Sequence, residues 1–242
     1  MESDCSVLIV GAAVLLMPDS ARLGDYSDVI NSVLFAQLSA NKQVTKDSSV
    51  DWYDAYSQVL DSLWLRSVKT REDFDLKPDS ATSATTLIVA AMAEIEKDLA
   101  TLTAEAMFRV VNASDSNRAI NVLRTHMHKS GDTSVEQSPE AAENAHMLVI
   151  VARTPDSLSS VYISYQNCPP LNSHPRVLPG LGAELQGLIT LRCAQANLSE
   201  TLYRLAREGI ALRLKDRIAA NVVLFTECGE SCAADLSREI QP

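Results

Sequence analysis

The sequence predicts an α+β fold, in which a helical N-terminal part precedes a small, mainly antiparallel sheet and a C-terminal amphipathic helix packed on that sheet. Three observations lead to this class. Apolar residues recur every three or four positions up to about Val111, they mostly alternate from Ala119 to Cys193, and the helical period returns after Asn197. A period of 3.6 residues indicates helices, and a period of two indicates strands.

The N-terminal part is predicted to be helical after an apolar opening. Its clearest helix carries Trp52, Tyr56 and Leu60 on one side, with Asp54 and Asp61 on the other. The predicted elements are a buried strand or helix at 6–17, a helix from Ser27 or Asp28, a loop at 41–49, a helix capped by Ser49 that reaches Leu63, a flexible link at 69–83, and helices at 84–99 and 101–111.

The C-terminal part shows the alternation that is typical of strands. Val161, Ile163 and Tyr165 alternate with more polar neighbours after the turn sequence at 154–157, and a short β-branched run precedes that turn, so a hairpin is predicted. The predicted elements are strands at 119–128, 146–153, 159–166, 187–193 and 221–226, an exposed loop at 129–145, irregular structure at 167–186, a helix with Ser199 as its N-cap, and a frayed tail from Cys228.

The last long helix carries the predicted interaction surface. One arc of the helix is apolar and is expected to pack on the sheet, while five cations lie along it or just after it in an otherwise acidic chain. A local basic face of this kind can meet an acidic partner or the acidic surface of the chain itself. The apolar arc is Leu202, Leu205, Ala206, Ile210 and Leu212, and the cations are Arg204, Arg207, Arg213, Lys215 and Arg217.

Length and composition are those of a globular protein. The chain has 242 residues, 46% of them hydrophobic and 21% charged, and we predict one domain over 1–242 with a helical subregion at 25–113 and a sheet-plus-helix subregion at 118–228. The formal net charge of −10 disfavours binding to nucleic acid and unassisted docking on an anionic membrane. Nucleotide binding is not predicted either, because Gly11 stands without the further glycines that a pyrophosphate needs.

The sequence favours a cytoplasmic location. Five cysteines spread along a chain of this length do not resemble the disulfide framework of a secreted protein. The apolar run at 6–17 follows Glu2 and Asp4, whereas a secretory signal begins with positive charge, and the run is too short to span a bilayer. An export route without a leader stays open.

His126 and His128 are the candidate metal ligands. On the predicted strand at 119–128 the two imidazoles would point to the same face, as a metal site with two neighbouring ligands requires. A third ligand, such as His146, would have to arrive through tertiary folding. The alternative is that both are solvated surface histidines.

The remaining chemical groups form no recognised motif. Cys228 and Cys232 are separated by three residues, which is compatible with a strained disulfide, half of a metal site, or two incidental thiols. Cys168 shares a proline-rich loop with His174, but no family signature surrounds it. The aromatic residues at 52, 53, 56 and 64 are a sugar or lipid platform or, by their helical spacing, part of the core.

We therefore expect a non-catalytic, soluble interaction protein with no catalytic residues and no cofactor, which binds a protein partner or a second copy of itself. The alternative is a membrane-active protein, pore-forming or toxin-like, because the apolar helical pair at 87–111 could exchange a protein core for lipid. A metal- or thiol-dependent enzyme is the third hypothesis.

Overall fold

The structure is a computed structural model that describes residues 5–77, 82–127, 143–168, 181, 185 and 187–226. Helices and strands follow one another in mixed order, which confirms the α+β class. The strands are β1 (Cys5–Val10), β2 (Ala13–Pro18), β3 (Trp64–Leu76), β4 (Glu143–Thr154), β5 (Ser157–Cys168), β6 (Gly187–Leu198) and β7 (Val222–Leu224). The helices are α1 (Ser27–Lys46), α2 (Trp52–Asp61), α3 (Ala84–Ile95), α4 (Lys97–Val111), α5 (Arg118–Met127), α6 (Glu200–Leu214) and the short α7 (Ile218–Asn221), with one 3-10 turn at Leu23–Tyr26.

The seven described strands form one mixed sheet in the order β3-β6-β5-β4-β2-β1-β7. Among them β2 and β4 run parallel, and the other five pairings are antiparallel. The predicted sheet is therefore confirmed only in part: antiparallel pairs dominate, but the sheet is larger than expected and contains a parallel step at its centre.

Helices cover both faces of this sheet. Along β4, His146, Leu148 and Ile150 face the side of α1, α2 and α6, while Met147 and Val149 face the side of α3, α4 and α5. Because side chains alternate along a strand, each strand in the middle of the sheet contributes to both apolar cores. The arrangement is a three-layer α/β/α sandwich over the described residues.

The apolar run at 6–17 is the β1–β2 hairpin, which lies inside the sheet between β4 and β7. The sequence left open a strand or a helix, because a strand that is buried on both faces has no alternation. Gly11 stands in the two-residue turn with φ of 57°, a left-handed conformation that glycine adopts at little cost.

The predicted flexible link at 69–83 is wrong over most of its length, because β3 continues through Leu76 and pairs with β6 from Trp64 to Leu76. β3 is an edge strand of the described sheet, and its charged side chains between residues 69 and 75 are exposed to solvent. Charged side chains on an edge strand discourage pairing with other chains. The same charges give this strand the composition of a linker, which explains the wrong prediction. Residues 78–81, including Pro78, lie outside the described residues.

The predicted strand at 119–128 is also wrong: residues 118–127 form helix α5. Its buried side chains are Ala119, Ile120, Leu123 and Met127, whose spacing of three and four is helical rather than alternating. The helical subregion at 25–113 thus contains a strand, and the sheet-plus-helix subregion at 118–228 begins with a helix.

Two of the clearest predictions, helix α2 and the β4–β5 hairpin, are confirmed. α2 has its N-cap at Asp51 rather than Ser49, and the Asp51 carboxylate accepts a hydrogen bond of 2.9 Å from the Asp54 N–H. β4 and β5 form the predicted antiparallel hairpin around the turn at 154–157. Helix α1 begins at the predicted residue but extends to Lys46, into the expected loop at 41–49.

Candidate interaction surface on the C-terminal helix

Helix α6 is attached to the body through one narrow face. Ser199 is its N-cap as predicted, although the contact comes from the Ser199 carbonyl, which accepts from the N–H of Tyr203 at 2.8 Å, and not from the hydroxyl. The buried side chains of the helix are Tyr203, Ile210 and Leu214, which join the apolar core that α1 and α2 form with the sheet. The predicted packing of this helix is confirmed in part, because α6 packs chiefly against α1.

Tyr203 fixes the first half of α6 against α1. Its hydroxyl lies 3.4 Å from the Asp28 carbonyl oxygen, to which it donates. Burial, together with the nearby Asp28 charge, raises the pKa of Tyr203 to about 12, so the phenol is neutral at physiological pH.

Arg207 adds an ionic clamp at the same place. Its guanidinium donates to the Asp28 carboxylate at 2.9 Å and to the Glu200 carboxylate at 2.7 Å, and it lies 5.1 Å from the centre of the Tyr203 ring. The hydrogen bonds with Glu200 and Asp28 raise the pKa of Arg207 above its usual value. One of the five predicted interaction cations is thus engaged by the chain's own acidic groups, which is one of the two alternatives that the sequence left open.

The opposite side of the helix presents leucines to solvent. Leu205 is 82% exposed, Leu212 75% and Leu202 43%, and Gly209 lies between them on the same side. We call these four residues the outer α6 face. The predicted apolar arc is therefore wrong for its three leucines, because the helix has two apolar stripes and only the one that contains Tyr203 meets α1.

Exposed charges flank the outer α6 face. Arg204, Glu208, Lys215 and Arg217 are exposed, and the guanidinium of Arg213 lies 5.9 Å from the centre of the Phe35 ring of α1. The sequence identified the cations but not the leucines as the contact surface. The signal that could have found the leucines is their spacing of three, four and three residues through Gly209.

The structure describes one of the two candidate metal ligands. His126 lies on helix α5 and not on the predicted strand, and His128 is outside the described residues. Burial lowers the pKa of His126, and a hydrogen bond with the Asn221 side chain offsets part of that effect. The metal site at His126 and His128 stays a prediction, without the strand geometry that suggested it.

His146 lies on the other side of the sheet from α5. It is buried, with its ring centre 4.3 Å from that of Trp52 and 6.1 Å from that of Tyr162. Within the described part of the chain, no group of three or more His, Cys, Asp or Glu side chains is placed to hold a metal ion.

The aromatic cluster of α2 belongs to the core. Trp52, Tyr53, Tyr56 and Trp64 are all buried, which excludes a sugar or lipid platform made of these rings in this state. Arg192 of β6 packs against this cluster. Its guanidinium lies 5.0 Å from the centre of the Tyr53 ring and forms ion pairs with the carboxylates of Asp51 and Asp54 at the start of α2.

The thiol hypotheses concern groups that are largely outside the described residues. Cys228, Cys232 and His174 are not described, nor is the side chain of Cys168, so a thiol site at these positions stays a prediction. Cys193 is buried, and burial raises the pKa of its thiol. A raised pKa leaves less of the reactive thiolate at neutral pH.

A shallow depression of about 190 Å³ lies on the α4 side of the sheet, near the β4–β5 turn. Hydroxyl and amide groups dominate its polar lining, from Ser67, Ser159, Gln195 and Asn197, and the ion pair of Glu96 with Arg153 stands at one side. Hydroxyl and amide groups of this kind orient a small polar molecule by hydrogen bonding.

No protein-family model matches the chain, and no curated protein is significantly similar to it. The helices of the predicted membrane-active pair, α3 and α4, place their apolar sides in the core on one face of the sheet. Among the described residues, none of the helices combines the length and the apolar character that crossing a bilayer requires. The membrane-active alternative stays a prediction.

Proposed function

We propose that this chain is a non-catalytic interaction protein and that its partner packs against the outer α6 face. The observation that supports the proposal is the position of three exposed leucines on one side of a helix whose opposite side is anchored. Six large apolar side chains are exposed in the described residues, and three of them, Leu202, Leu205 and Leu212, belong to this face.

The hydrophobic effect is the main source of binding free energy at the outer α6 face. Removing a leucine side chain from water contributes about 1.5–3 kcal/mol, so three leucines supply most of the gain that a small, specific contact needs. Single exposed leucines are ordinary on protein surfaces, whereas an aligned group marks an interaction site more often.

The anchoring of α6 supports the same proposal. Tyr203 and the clamp of Arg207 with Asp28 and Glu200 hold the helix in one orientation before any partner arrives. A preorganised surface loses little conformational entropy on binding, which increases the affinity that a small area can give.

Photo-crosslinking tests the proposal. A benzophenone amino acid replaces Leu205 in one variant and Leu65 in a matched variant, because Leu65 is 61% exposed but lies on β3, outside the outer α6 face. After irradiation in lysate of the source cells, we expect a discrete crosslinked product from position 205 that position 65 does not give and that Leu212→Gln abolishes. Equal labelling from both positions, or a product that is indifferent to Leu212→Gln, would refute the proposed surface.

A further inference from the structure

We infer that the partner of the outer α6 face is a second copy of this chain, bound with the two α6 helices side by side and parallel. The inference rests on the proposed function, since it uses the same face. It goes further by naming the occupant, the orientation and the residue pairs.

The spacing of the face suits the pairing of two helices. Residues 202, 205, 209 and 212 follow one another at intervals of three, four and three, which is the a–d repeat of a two-stranded coiled coil. In a parallel pair each layer joins identical residues, so Leu202, Leu205 and Leu212 each meet their own counterpart. Because both copies contribute the same face, this symmetric contact requires no second binding surface on the chain.

The charges beside the seam select the orientation. Glu208 and Arg213 occupy the flanking g and e positions, five residues apart, and in a parallel pair Glu208 of one copy faces Arg213 of the second copy. An antiparallel pair with its leucines aligned would instead bring Glu208 close to its own counterpart, and like charges repel.

Gly209 is an independent observation in favour of a close neighbour. A glycine inside a helix is less stable than alanine by about 1 kcal/mol, and a Cβ placed on Gly209 would meet no atom within 4 Å. The single chain therefore gains nothing from the missing side chain. At the seam between two helices, its absence allows the backbones to approach each other.

The outer α6 face points away from the rest of the described fold. It lies about 140° around the helix from the buried face of Tyr203, Ile210 and Leu214, at 100° per residue. In a parallel pair, the described parts of the two copies therefore lie on opposite sides of the paired helices. With only 15 residues in each helix, the contact is small, and we expect a dissociation constant in the micromolar range.

Sedimentation velocity of the full chain over about 5–500 µM tests the inference. We expect a concentration-dependent monomer–dimer equilibrium, which Leu205→Gln with Leu212→Gln weakens at least about tenfold and which the control Leu65→Gln leaves unchanged. These side chains are exposed, so the variants should fold, and circular dichroism verifies that they do.

Charge exchange tests the orientation. Glu208→Arg or Arg213→Glu alone should weaken the dimer about fivefold, and the double exchange should restore it to within about twofold. A dimer that ignores the leucine changes, or single exchanges that have no effect, would overturn the parallel pairing. A chain that stays monomeric up to the highest concentration would overturn the second copy as partner; if position 205 nonetheless crosslinks to a different protein, the proposed function survives and only this inference fails.

Discussion

Replacing Gly11 by alanine should destabilise the fold strongly, although the change adds only one methyl group. Gly11 has φ of 57°, and a Cβ built on it would lie 2.6 Å from Gln37 Oε1. The Gln37 amide is buried and ties the β1–β2 turn to α1: its Nε2 donates to the Val10 carbonyl at 2.8 Å, and its Oε1 accepts from the Ala12 N–H at 2.9 Å. The Gly11 N–H donates to the Asn221 carbonyl at 2.8 Å, so the turn cannot move away without breaking a further bond.

The expected loss follows from these contacts. An alanine in the left-handed region is about 1–2 kcal/mol less stable than glycine. Displacing Gln37 breaks its two buried hydrogen bonds to the backbone, each at about 1–3 kcal/mol. Since part of this strain will relax, we expect Gly11→Ala to lower the free energy of unfolding by about 3–5 kcal/mol.

Gly209→Ala is the matched control with the opposite sign. Gly209 is in the middle of α6 and faces open space, so alanine should raise the free energy of unfolding by about 0.5–1 kcal/mol through its higher helix propensity. Both variants and the wild type are unfolded in urea at a concentration low enough to keep the chain monomeric, and the free energies are extrapolated to water.

A double-mutant cycle separates the clash from the backbone strain. Gln37→Ala alone loses the two amide hydrogen bonds, and Gly11→Ala added to it no longer meets the Gln37 side chain, so the combined loss should be smaller than the sum of the single losses by at least about 1 kcal/mol. If Gly11→Ala and Gly209→Ala shift the stability in the same direction, or if the cycle is additive, the role assigned to this turn is refuted.

Three further predictions concern other parts of the structure. The pKa of His126 in the folded state is below its usual value of 6.5, so the stability that the neutral imidazole contributes is complete above pH 6.5 and is lost as the pH falls through the lowered pKa. The melting temperature of the wild type should therefore fall more steeply between pH 7 and pH 5 than that of His126→Gln, and parallel curves would contradict this. Arg192→Ala should lower the free energy of unfolding by about 1–3 kcal/mol because its stem and guanidinium are packed on Tyr53, whereas Arg153→Ala, whose ion pair with Glu96 is about half exposed, should change it by less than about 1 kcal/mol in the same urea titration. The protein should release no dye from neutral or anionic lipid vesicles at pH 7 or pH 5, because the apolar sides of α3 and α4 are already packed in the core; leakage would favour the membrane-active alternative.

The elements that could be predicted are those whose two sides differ in side-chain polarity. In α2, Trp52, Tyr56 and Leu60 fall on one side of the helix, and in β5 Val161 and Ile163 alternate with more polar residues. Such periods follow from backbone geometry, and they can be recognised within ten residues. Helix α5 could have been predicted in the same way, from the spacing of Ile120, Leu123 and Met127. The segment is only ten residues long, and over that length its apolar residues were interpreted as the alternation of a strand.

The sequence predicted the helix that carries the candidate surface, but not the residues that form it. The sequence pointed to α6 and its cations, and the structure shows that one of them, Arg207, is bound internally while the leucines are the exposed group. A helical wheel with two apolar stripes cannot tell which one is buried, because that depends on the residues of α1 that meet α6, such as Asp28 and Phe35, and not on α6 itself.

The amino-acid sequence by itself determined the α+β class, the β4–β5 hairpin and most of the long helices, since these depend on contacts between residues close along the chain. Tertiary structure alone decided that the opening apolar run is a hairpin inside the sheet, between β4 and β7, that the charged segment after Trp64 is an edge strand, and that α6 turns Leu205 and Leu212 to solvent. Each of these outcomes is set by partners that are far apart in sequence, such as β2 beside β4 and β3 beside β6. Local periodicity carries no information about such partners, because the free energy that selects them is gained only when distant surfaces pack together.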